Sequence, residues 1–204
     1  MTSPRVGVLA LQGDVLEHLR AVQRAGGRAV AVRRPEELAH LDAIVLPGGE
    51  STTIGKLLAA FDLFTPLQQE IAAGLPVFGS CAGMILLAEK IVGGTRDQRT
   101  LGGLDVTVRR NAFGRQVDSY EQNLQAPLLL GDDRPVRATF IRAPWVEHAG
   151  PSVQVLATVR AGAAGSRIVA VRQGMLLATA FHPELGSDTR IHQRFVDMVA
   201  AHLR

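Results

Sequence analysis

The sequence predicts an α/β fold, a three-layer α/β/α arrangement with a mostly parallel central sheet and a smaller antiparallel strand region in the second half. Three observations predict it. Short apolar runs alternate with helical patterns through the first half of the chain. A cysteine flanked by glycines stands between an apolar run and a helical pattern, as in a nucleophile elbow. Later strand patterns alternate polar with apolar residues, and their linkers are rich in Gly, Asp and Pro, which favours antiparallel hairpins.

The apolar runs of the first half predict buried parallel strands, each followed by a helix. The predicted strands are Arg5–Leu11, Arg28–Val32, Ala43–Leu46 and Leu75–Phe78. Helices are expected from Asp14 as a cap, from Ser51, from Thr65 as a cap with Pro66 at the first helical position, and over Ala82–Glu89. This order of strands and helices indicates a sheet covered on both faces.

The second half predicts further strands and a closing helix. The expected strands are Asp105–Arg109, Val136–Ile141, Val153–Val159, Ile168–Val171 and the apolar, central Met175–Phe181, and the helix runs from Asp188 to Leu203. No repeat or long linker divides the chain, so we expect a single domain over residues 1–204.

Composition excludes several classes of protein. Lys and Arg total 22 against 19 for Asp and Glu, with no run of like charges, so a nucleic-acid surface is not expected. The apolar runs are far shorter than the ~18 residues of a membrane span, and the N-terminus shows no targeting or lipidation signal. The single cysteine excludes an internal disulfide and suits a reducing compartment, so we expect a cytoplasmic protein with no membrane partner.

The segment Gly79–Gly83 (GSCAG) is the sharpest motif. A residue at a tight strand-to-helix turn is lifted above the sheet, and small neighbours allow that geometry. The helix N-terminus favours a thiolate at Cys81, and the N–H of Ala82 is placed to stabilise an oxyanion. A buried, inert cysteine before a helix is the alternative interpretation.

A second motif, His182-Pro183-Glu184, follows the apolar run that ends at Phe181. Residues two apart on an extended segment point to the same side, so Glu184 can orient the His182 ring as the third member of a triad. A surface turn would be the interpretation if this motif stood alone. Both motifs follow central strands, where open α/β sheets bind ligands.

The loop Pro47–Thr52 (PGGEST) follows a predicted strand. Its two glycines allow the backbone to come close to a ligand and to turn N–H groups toward it. One of its N–H groups, from Gly48 or Gly49, can complete an oxyanion hole; a tight turn or a weak phosphate loop is the alternative. The other histidines show no metal-ligand spacing, and we expect no metal site and interpret them as solvated or packed: His18, His40, His148, His192 and His202. We expect Trp145 to pack rather than bind.

Together these motifs make the chain similar to class I (triad-type) glutamine amidotransferases, and closely similar to the glutaminase subunits of pyridoxal 5′-phosphate synthase. The resemblance runs nearly end to end. Its marks include Gly7–Gly13, Leu46–Thr53, Gly79–Ile85, Arg110–Gln116, Phe140–Pro144 and Phe181–Glu184. Ile85 stands where many other amidotransferases of this class have Gln, which argues against their synthetase and imidazole-glycerol-phosphate branches.

The resemblance implies hydrolysis of L-glutamine to glutamate and ammonia, and delivery of ammonia to a barrel synthase subunit within a large hetero-oligomer. Pyridoxal 5′-phosphate would be the product of that complex, and no cofactor is expected in this chain. The resemblance also assigns residues. The catalytic residues would be Cys81, His182 and Glu184. The glutamine site would be lined by Gly49, Glu50, Ser51, Arg110, Ile141 and Arg142. Gln12 would be the residue that couples this subunit to its partner.

Two alternatives stay open. One is the amidotransferase subunit of another pathway, such as imidazole glycerol phosphate synthesis, against which Arg110–Gln116 and Ile141–Pro144 argue. The other is a non-enzymatic regulator that keeps the elbow fold, against which His182 and Glu184 argue, because such proteins lack this pair in this position.

Overall fold

The computed structural model describes residues 3–95, 97–112, 119–161 and 165–204. Its strands are β1 (Arg5–Leu9), β2 (Arg28–Val32), β3 (Ala43–Leu46), β4 (Val77–Ser80), β5 (Ala88–Val92), β6 (Leu104–Arg109), β7 (Tyr120–Leu124), β8 (Val136–Phe140), β9 (Trp145–Ala149), β10 (Gln154–Arg160), β11 (Ser166–Gln173) and β12 (Leu176–Thr179). Its helices are α1 (Val15–Arg24), α2 (Ser51–Ala60), α3 (Phe64–Ala72), α4 (Ala82–Leu87), α5 (Pro127–Leu130) and α6 (Arg190–His202), with short 3₁₀ helices at Pro35–Leu38 and Pro183–Leu185.

The central sheet is parallel at its core and antiparallel beyond it. Its strand order is β2-β1-β3-β4-β12-β11-β9-β6-β5, with β10 paired to β11, and β7 and β8 form a separate antiparallel pair. The strands from β2 to β12 in this order pair in parallel, whereas β11 is antiparallel to both of its neighbours in the order and β9 is antiparallel to β6. The predicted α/β class is therefore confirmed, including the antiparallel region in the second half.

Two groups of helices cover the sheet, which explains why its central strands are buried throughout and largely apolar. Helix α6 contacts α1 and α5, whereas α2 contacts α3 and α4. Every residue of β3, β4 and β12 is buried, as expected for strands covered on both faces. Parallel pairing places β1, β3, β4 and β12 side by side. The carboxyl ends of all four strands therefore lie at one edge of the sheet.

Some predicted boundaries were wrong. The helix predicted over Ala82–Glu89 ends at Leu87, because Ala88 turns the backbone to an extended conformation and β5 begins there, parallel to β6. Helix α3 begins at Phe64, so Thr65 and Pro66 lie inside its first turn. No sequence pattern predicted β5, β7, β9 or α5.

Candidate active site

Cys81 lies at a strained turn between β4 and α4. Its φ of 46° and ψ of −97° lie in a region that non-glycine residues rarely adopt. The N–H of Cys81 donates to the carbonyl of Thr179 over 2.8 Å, so the turn is tied to β12. Backbone strain of this kind persists where the surrounding structure enforces it, which is common at catalytic positions.

The two positions that flank the Cys81 turn require glycine, because a Cβ at either one would collide with backbone atoms. A Cβ on Gly79 would lie 2.6 Å from the carbonyl carbon of Gly83. A Cβ on Gly83 would lie 2.2 Å from the carbonyl oxygen of Leu46 in β3. Helix α4 thus packs directly on the sheet, and the elbow cannot form in this way with larger residues.

His182 and Glu184 form a buried pair beyond the end of β12. The ring nitrogen Nδ1 of His182 lies 2.7 Å from Oε1 of Glu184. The two residues are 4% and 3% exposed. Sγ of Cys81 lies 4.0 Å from the carbonyl oxygen of Ile141, and its interaction with the ring of His182 raises the pKa of that ring. Since Nδ1 faces Glu184, Nε2 is the nitrogen available to the sulfur, which is the orientation that a triad needs.

Asp14 is a second carboxylate at the same imidazole, and its neighbours in the sequence did not predict this position. It occupies the N-cap position of α1, but its side chain makes no capping hydrogen bond. Its Oδ2 lies instead 3.2 Å from Nδ1 of His182. The expectation that this carboxylate caps the helix is therefore wrong.

These neighbours stabilise the charged forms of the pair. Burial alone would lower the pKa of His182, but its interactions with Asp14, Cys81 and Glu184 outweigh this effect and raise that pKa well above its ordinary value. Burial would raise the pKa of Glu184, yet the nearby rings of His18 and His182 hold it well below the usual range. An imidazolium between a carboxylate and a sulfur is the arrangement that activates a thiolate nucleophile.

Asp14, His182 and Glu184 each offer a ligand atom, and these atoms lie within 4.8 Å of one another. At that spacing the three atoms could coordinate one cation. The short contact between Nδ1 of His182 and Oε1 of Glu184 is nevertheless that of a donated proton, so we interpret the cluster as proton-transfer machinery. The absence of a metal stays a prediction.

The loop after β3 packs against the ring of His182. A Cβ on Gly48 would lie 2.3 Å from Cε1 of that ring. The carbonyl of Gly48 accepts a hydrogen bond from the N–H of Asp14 over 3.2 Å. Because a trans peptide points its N–H opposite to its C=O, the N–H of Gly49 faces away from Asp14.

Gln12 holds the same loop from the other side. Its Oε1 accepts a hydrogen bond from the N–H of Glu50 over 2.9 Å. A Cβ on Gly49, whose φ is 152°, would lie 2.5 Å from that oxygen. The side chain predicted to couple to a partner thus contacts the loop that carries the candidate oxyanion donors.

A small pocket of about 100 Å³ opens beside the sulfur. It brings together every residue that the resemblance assigns to glutamine, and adds Ile85 and Asn111. Its lining is Gly49, Glu50, Ser51, Cys81, Ile85, Arg110, Asn111, Ile141 and Arg142. Three of the five non-glycine residues with positive φ in the described part of the chain, Cys81, Asn111 and Arg142, line this pocket, whereas His40 and Asp62 lie elsewhere. Residues 113–116 of the segment Arg110–Gln116 lie outside the described residues.

The two arginines of the pocket differ in how they are engaged. Nη2 of Arg110 lies 2.9 Å from Oε1 of Glu50, and its Nη1 donates to Thr52 and Gln98. The side chain of Arg110 is 12% exposed. Arg142 is an exposed residue. The fork of Arg110 is therefore used within the protein, and Arg142 is the more accessible cation.

Glu50 connects this arginine to α2. Its carboxylate accepts hydrogen bonds from the N–H groups of Thr52 and Thr53, over 3.0 Å and 2.7 Å, and so caps the helix. Burial would raise the pKa of Glu50, but these bonds and those of the threonine hydroxyls outweigh it and lower that pKa to about 2.

Glu50→Gln should therefore destabilise the protein by about 1 kcal/mol at neutral pH, because a charged cap is lost. The folded-state pKa is below the ordinary 4.5, so the stabilisation is complete above pH 4.5 and disappears as pH falls through about 2. Urea unfolding at pH values from 7 to 2.5 (about half a unit apart) measures the difference. Glu70→Gln, which changes an exposed carboxylate of α3, is the matched control. A difference that is independent of pH would contradict the assignment.

The remaining histidines divide into two groups. His40, His148 and His202 are exposed, whereas His18 and His192 are fully buried and contact each other. Trp145 is buried, and the guanidinium of Arg167 lies 4.7 Å from its ring centroid. Within the described ranges, no helix is long and apolar enough to cross a membrane.

Comparison with known proteins identifies the family. The model of the SNO glutamine amidotransferase family matches residues 8–201. A protein of Kineococcus radiotolerans named pyridoxal 5′-phosphate synthase subunit PdxT is 62% identical over 98% of this chain and 97% of its own. A protein of the same name from Acidothermus cellulolyticus is 63% identical, over 98% of this chain and 96% of its own.

Solved structures agree with this. A crystal structure of a glutamine amidotransferase is 45% identical, with a TM-score of 0.85, over 96% of this chain and 98% of its own. A match to a family model over nearly the whole length, together with relatives above 60% identity, leaves no other assignment. The chain belongs to the SNO glutamine amidotransferase family.

Proposed function

We propose that this chain is the glutaminase subunit of a pyridoxal 5′-phosphate synthase, as its relatives are named. It hydrolyses L-glutamine to L-glutamate and ammonia and passes the ammonia to a synthase subunit. The observation that carries the proposal is the buried pair of His182 and Glu184 beyond β12, at the same edge of the sheet as the strained turn of Cys81 beyond β4, since β4 and β12 pair in parallel. We propose that residues 1–204 act as one domain in this reaction.

The first half of the reaction forms a thioester. His182 holds the proton of the Cys81 thiol, and the thiolate attacks the side-chain amide carbon of glutamine. The N–H of Ala82 and that of Gly49 or Gly48 stabilise the oxyanion. His182 then gives its proton to the leaving nitrogen, the carbon–nitrogen bond breaks, and ammonia departs.

The second half regenerates the enzyme. The neutral ring of His182 removes a proton from water, which attacks the thioester carbonyl. The carbon–sulfur bond breaks, glutamate leaves and the thiolate re-forms beside the imidazolium. Glu184 holds the ring in one tautomer throughout and stabilises its charge.

The pocket suits the remaining groups of glutamine. We assign the substrate carboxylate to Arg142, since Arg110 is engaged with Glu50 and positions it beside the pocket. Gly49, Ser51 and Ile141 form the adjacent walls. A reactive free thiol also supports a reducing, cytoplasmic location, and no nucleic-acid or membrane partner is proposed.

Coupling to the synthase subunit runs through Gln12, since its side chain holds the N–H of Glu50 in the candidate oxyanion loop. The Gly48–Gly49 peptide is the part proposed to reorient on docking, because glycine tolerates both orientations. Such a hole would be incomplete in the free subunit, which would prevent wasteful loss of glutamine.

Addition of the synthase subunit should raise the rate of ammonia release roughly 100-fold, the contribution expected of one oxyanion donor. The subunits are co-purified, and pyridoxal 5′-phosphate formation is measured with glutamine and with ammonia as nitrogen source. Equal rates with and without the partner would contradict the coupling. No ammonia in either case would favour a non-enzymatic regulator, and activity only with another synthase would favour another pathway.

A further inference from the structure

A chain of buried polar side chains continues behind Glu184. His18 on α1, His192 on α6 and Ser80 at the end of β4 are each 0% exposed. Nε2 of His18 lies 3.0 Å from Oγ of Ser80 and 3.4 Å from Oε2 of Glu184. Nδ1 of His18 lies 3.0 Å from Nε2 of His192. These residues form one contact path that begins at the triad and ends inside the helix layer.

The second oxygen of Glu184 depends on this path. Within the described part of the chain, Oε2 is fully buried and has no hydrogen bond, and its ion-pair partner is Nε2 of His18, 3.4 Å away. An unsatisfied buried carboxylate oxygen is costly, so the nearby ring nitrogen must present a proton to it. A bare lone pair on Nε2 would repel the carboxylate.

The partner ring fixes that tautomer. Burial, together with the nearby His18, lowers the pKa of His192 to about 3, so His192 is neutral and carries one proton. If that proton is on Nε2, it is donated to Nδ1 of His18, whose own proton then stands on Nε2. The unpaired nitrogen of His192, Nδ1, is then only an acceptor, which costs less when buried than an unpaired N–H.

The groups around this ring pair are few. The edge of the Phe78 ring contacts His192, with centroids 5.5 Å apart, and Phe78 also meets His18. The charged or titratable neighbours of the pair are Glu184, His182 beyond it, and Arg24 near His192. In the described part of the chain no second carboxylate therefore competes for the proton on Nε2 of His18, which Glu184 shares only with Oγ of Ser80, 3.0 Å from the same nitrogen.

We propose that His18 is a positioning residue for the glutaminase reaction: its Nε2–H holds Oε2 of Glu184, so that Oε1 stays on His182. His192 acts behind it by fixing the tautomer of His18. This inference rests on the proposed function. It differs from a packing role because it needs a donor at one ring nitrogen, and not merely a side chain of similar size.

Two substitutions separate the ring nitrogens. His18→Gln places an amide donor near the position of Nε2, whereas His18→Asn is too short for that and replaces only the Nδ1 side. We expect His18→Asn to lower kcat roughly 10- to 100-fold with little change in KM, as for other outer partners of a catalytic histidine. His18→Gln should recover most of this loss.

A second readout needs no glutaminase activity. The chain has one cysteine, so alkylation by iodoacetamide reports on Cys81 alone. If Glu184 is held less firmly, it stabilises the imidazolium less, and the thiolate–imidazolium pair forms at higher pH. The alkylation profile of His18→Asn should therefore move up by roughly one pH unit, a tenfold change in equilibrium.

Phe195→Leu is the structural control. Phe195 is buried on α6, and the centroid of its ring lies 5.8 Å from the centroid of the Phe78 ring. This variant should lose stability to urea without moving the alkylation profile. The inference is overturned if His18→Asn alkylates like the wild type, if Phe195→Leu shifts the profile equally, or if His18→Gln behaves like His18→Asn. If wild-type complex releases no ammonia, the proposed function fails, while the alkylation comparison still decides the role of His18.

Discussion

Alanine in place of Cys81 should abolish the release of ammonia from glutamine, with a loss of at least ~10⁴-fold in kcat, as when a triad nucleophile is removed. The backbone N–H groups of the oxyanion hole remain, but no atom can form the thioester. Ammonia release in the presence of the synthase subunit is the measurement. Synthesis of pyridoxal 5′-phosphate from added ammonium should continue at the wild-type rate, because that step belongs to the partner.

Two controls make this result specific to the sulfur. Cys81→Ser keeps a side chain of similar shape, yet a hydroxyl is a weaker nucleophile, so its activity should also be very low. Both variants should bind the synthase subunit as the wild type does, since Cys81 is buried below the surface of the pocket. Ammonia release retained by the alanine variant would remove Cys81 from the mechanism.

The parts of the site that the sequence predicted are those coded by local spacing. His182 and Glu184 stand two positions apart, and a proline between them restricts the backbone, so their contact follows from a short segment. Cys81 is marked by glycines that the structure shows to be sterically required. Such patterns carry their geometry within a few residues.

The parts that the sequence missed depend on the sheet order. His18 and His192 are separated by 174 positions and meet only because α1 and α6 pack together. Asp14 looks like a helix cap from its neighbours, and only the parallel order β1-β3-β4-β12, which puts the carboxyl ends of β1 and β12 at the same edge, brings it to His182. Single histidines in helical patterns gave no indication of a shared buried path.

Strand β5 was missed for a related reason. Ala88–Val92 continues an apolar helical pattern without a glycine or proline to end it, so the helix was extended by two residues. Its strand conformation comes from pairing with β6, which lies beyond an intervening loop. Tertiary pairing of this kind overrides local preference in short segments.

The close packing of α4 on β3 makes Gly83 a position where a single methyl group has a large effect on the fold. In Gly83→Ala, the new Cβ would lie 2.2 Å from the carbonyl oxygen of Leu46, and 3.0 Å from its carbonyl carbon. Neither backbone atom can move without displacing β3, so α4 must shift away from the sheet. Cys81 immediately precedes this helix, and the shift would carry its sulfur away from His182.

Gly83→Ala should therefore lose about 3 kcal/mol or more of unfolding free energy, at the upper end for overpacked cores, and most glutaminase activity. Gly55→Ala is the matched control: Gly55 lies within α2, and its nearest non-neighbouring atom would be 3.9 Å from the Cβ. That variant should gain up to about 1 kcal/mol from helix propensity and keep its activity. Urea unfolding of both variants is measured, with ammonia release as the second readout. If α4 rests on β3, the two substitutions change the free energy of unfolding with opposite signs. Equal effects of the two substitutions would show that it does not.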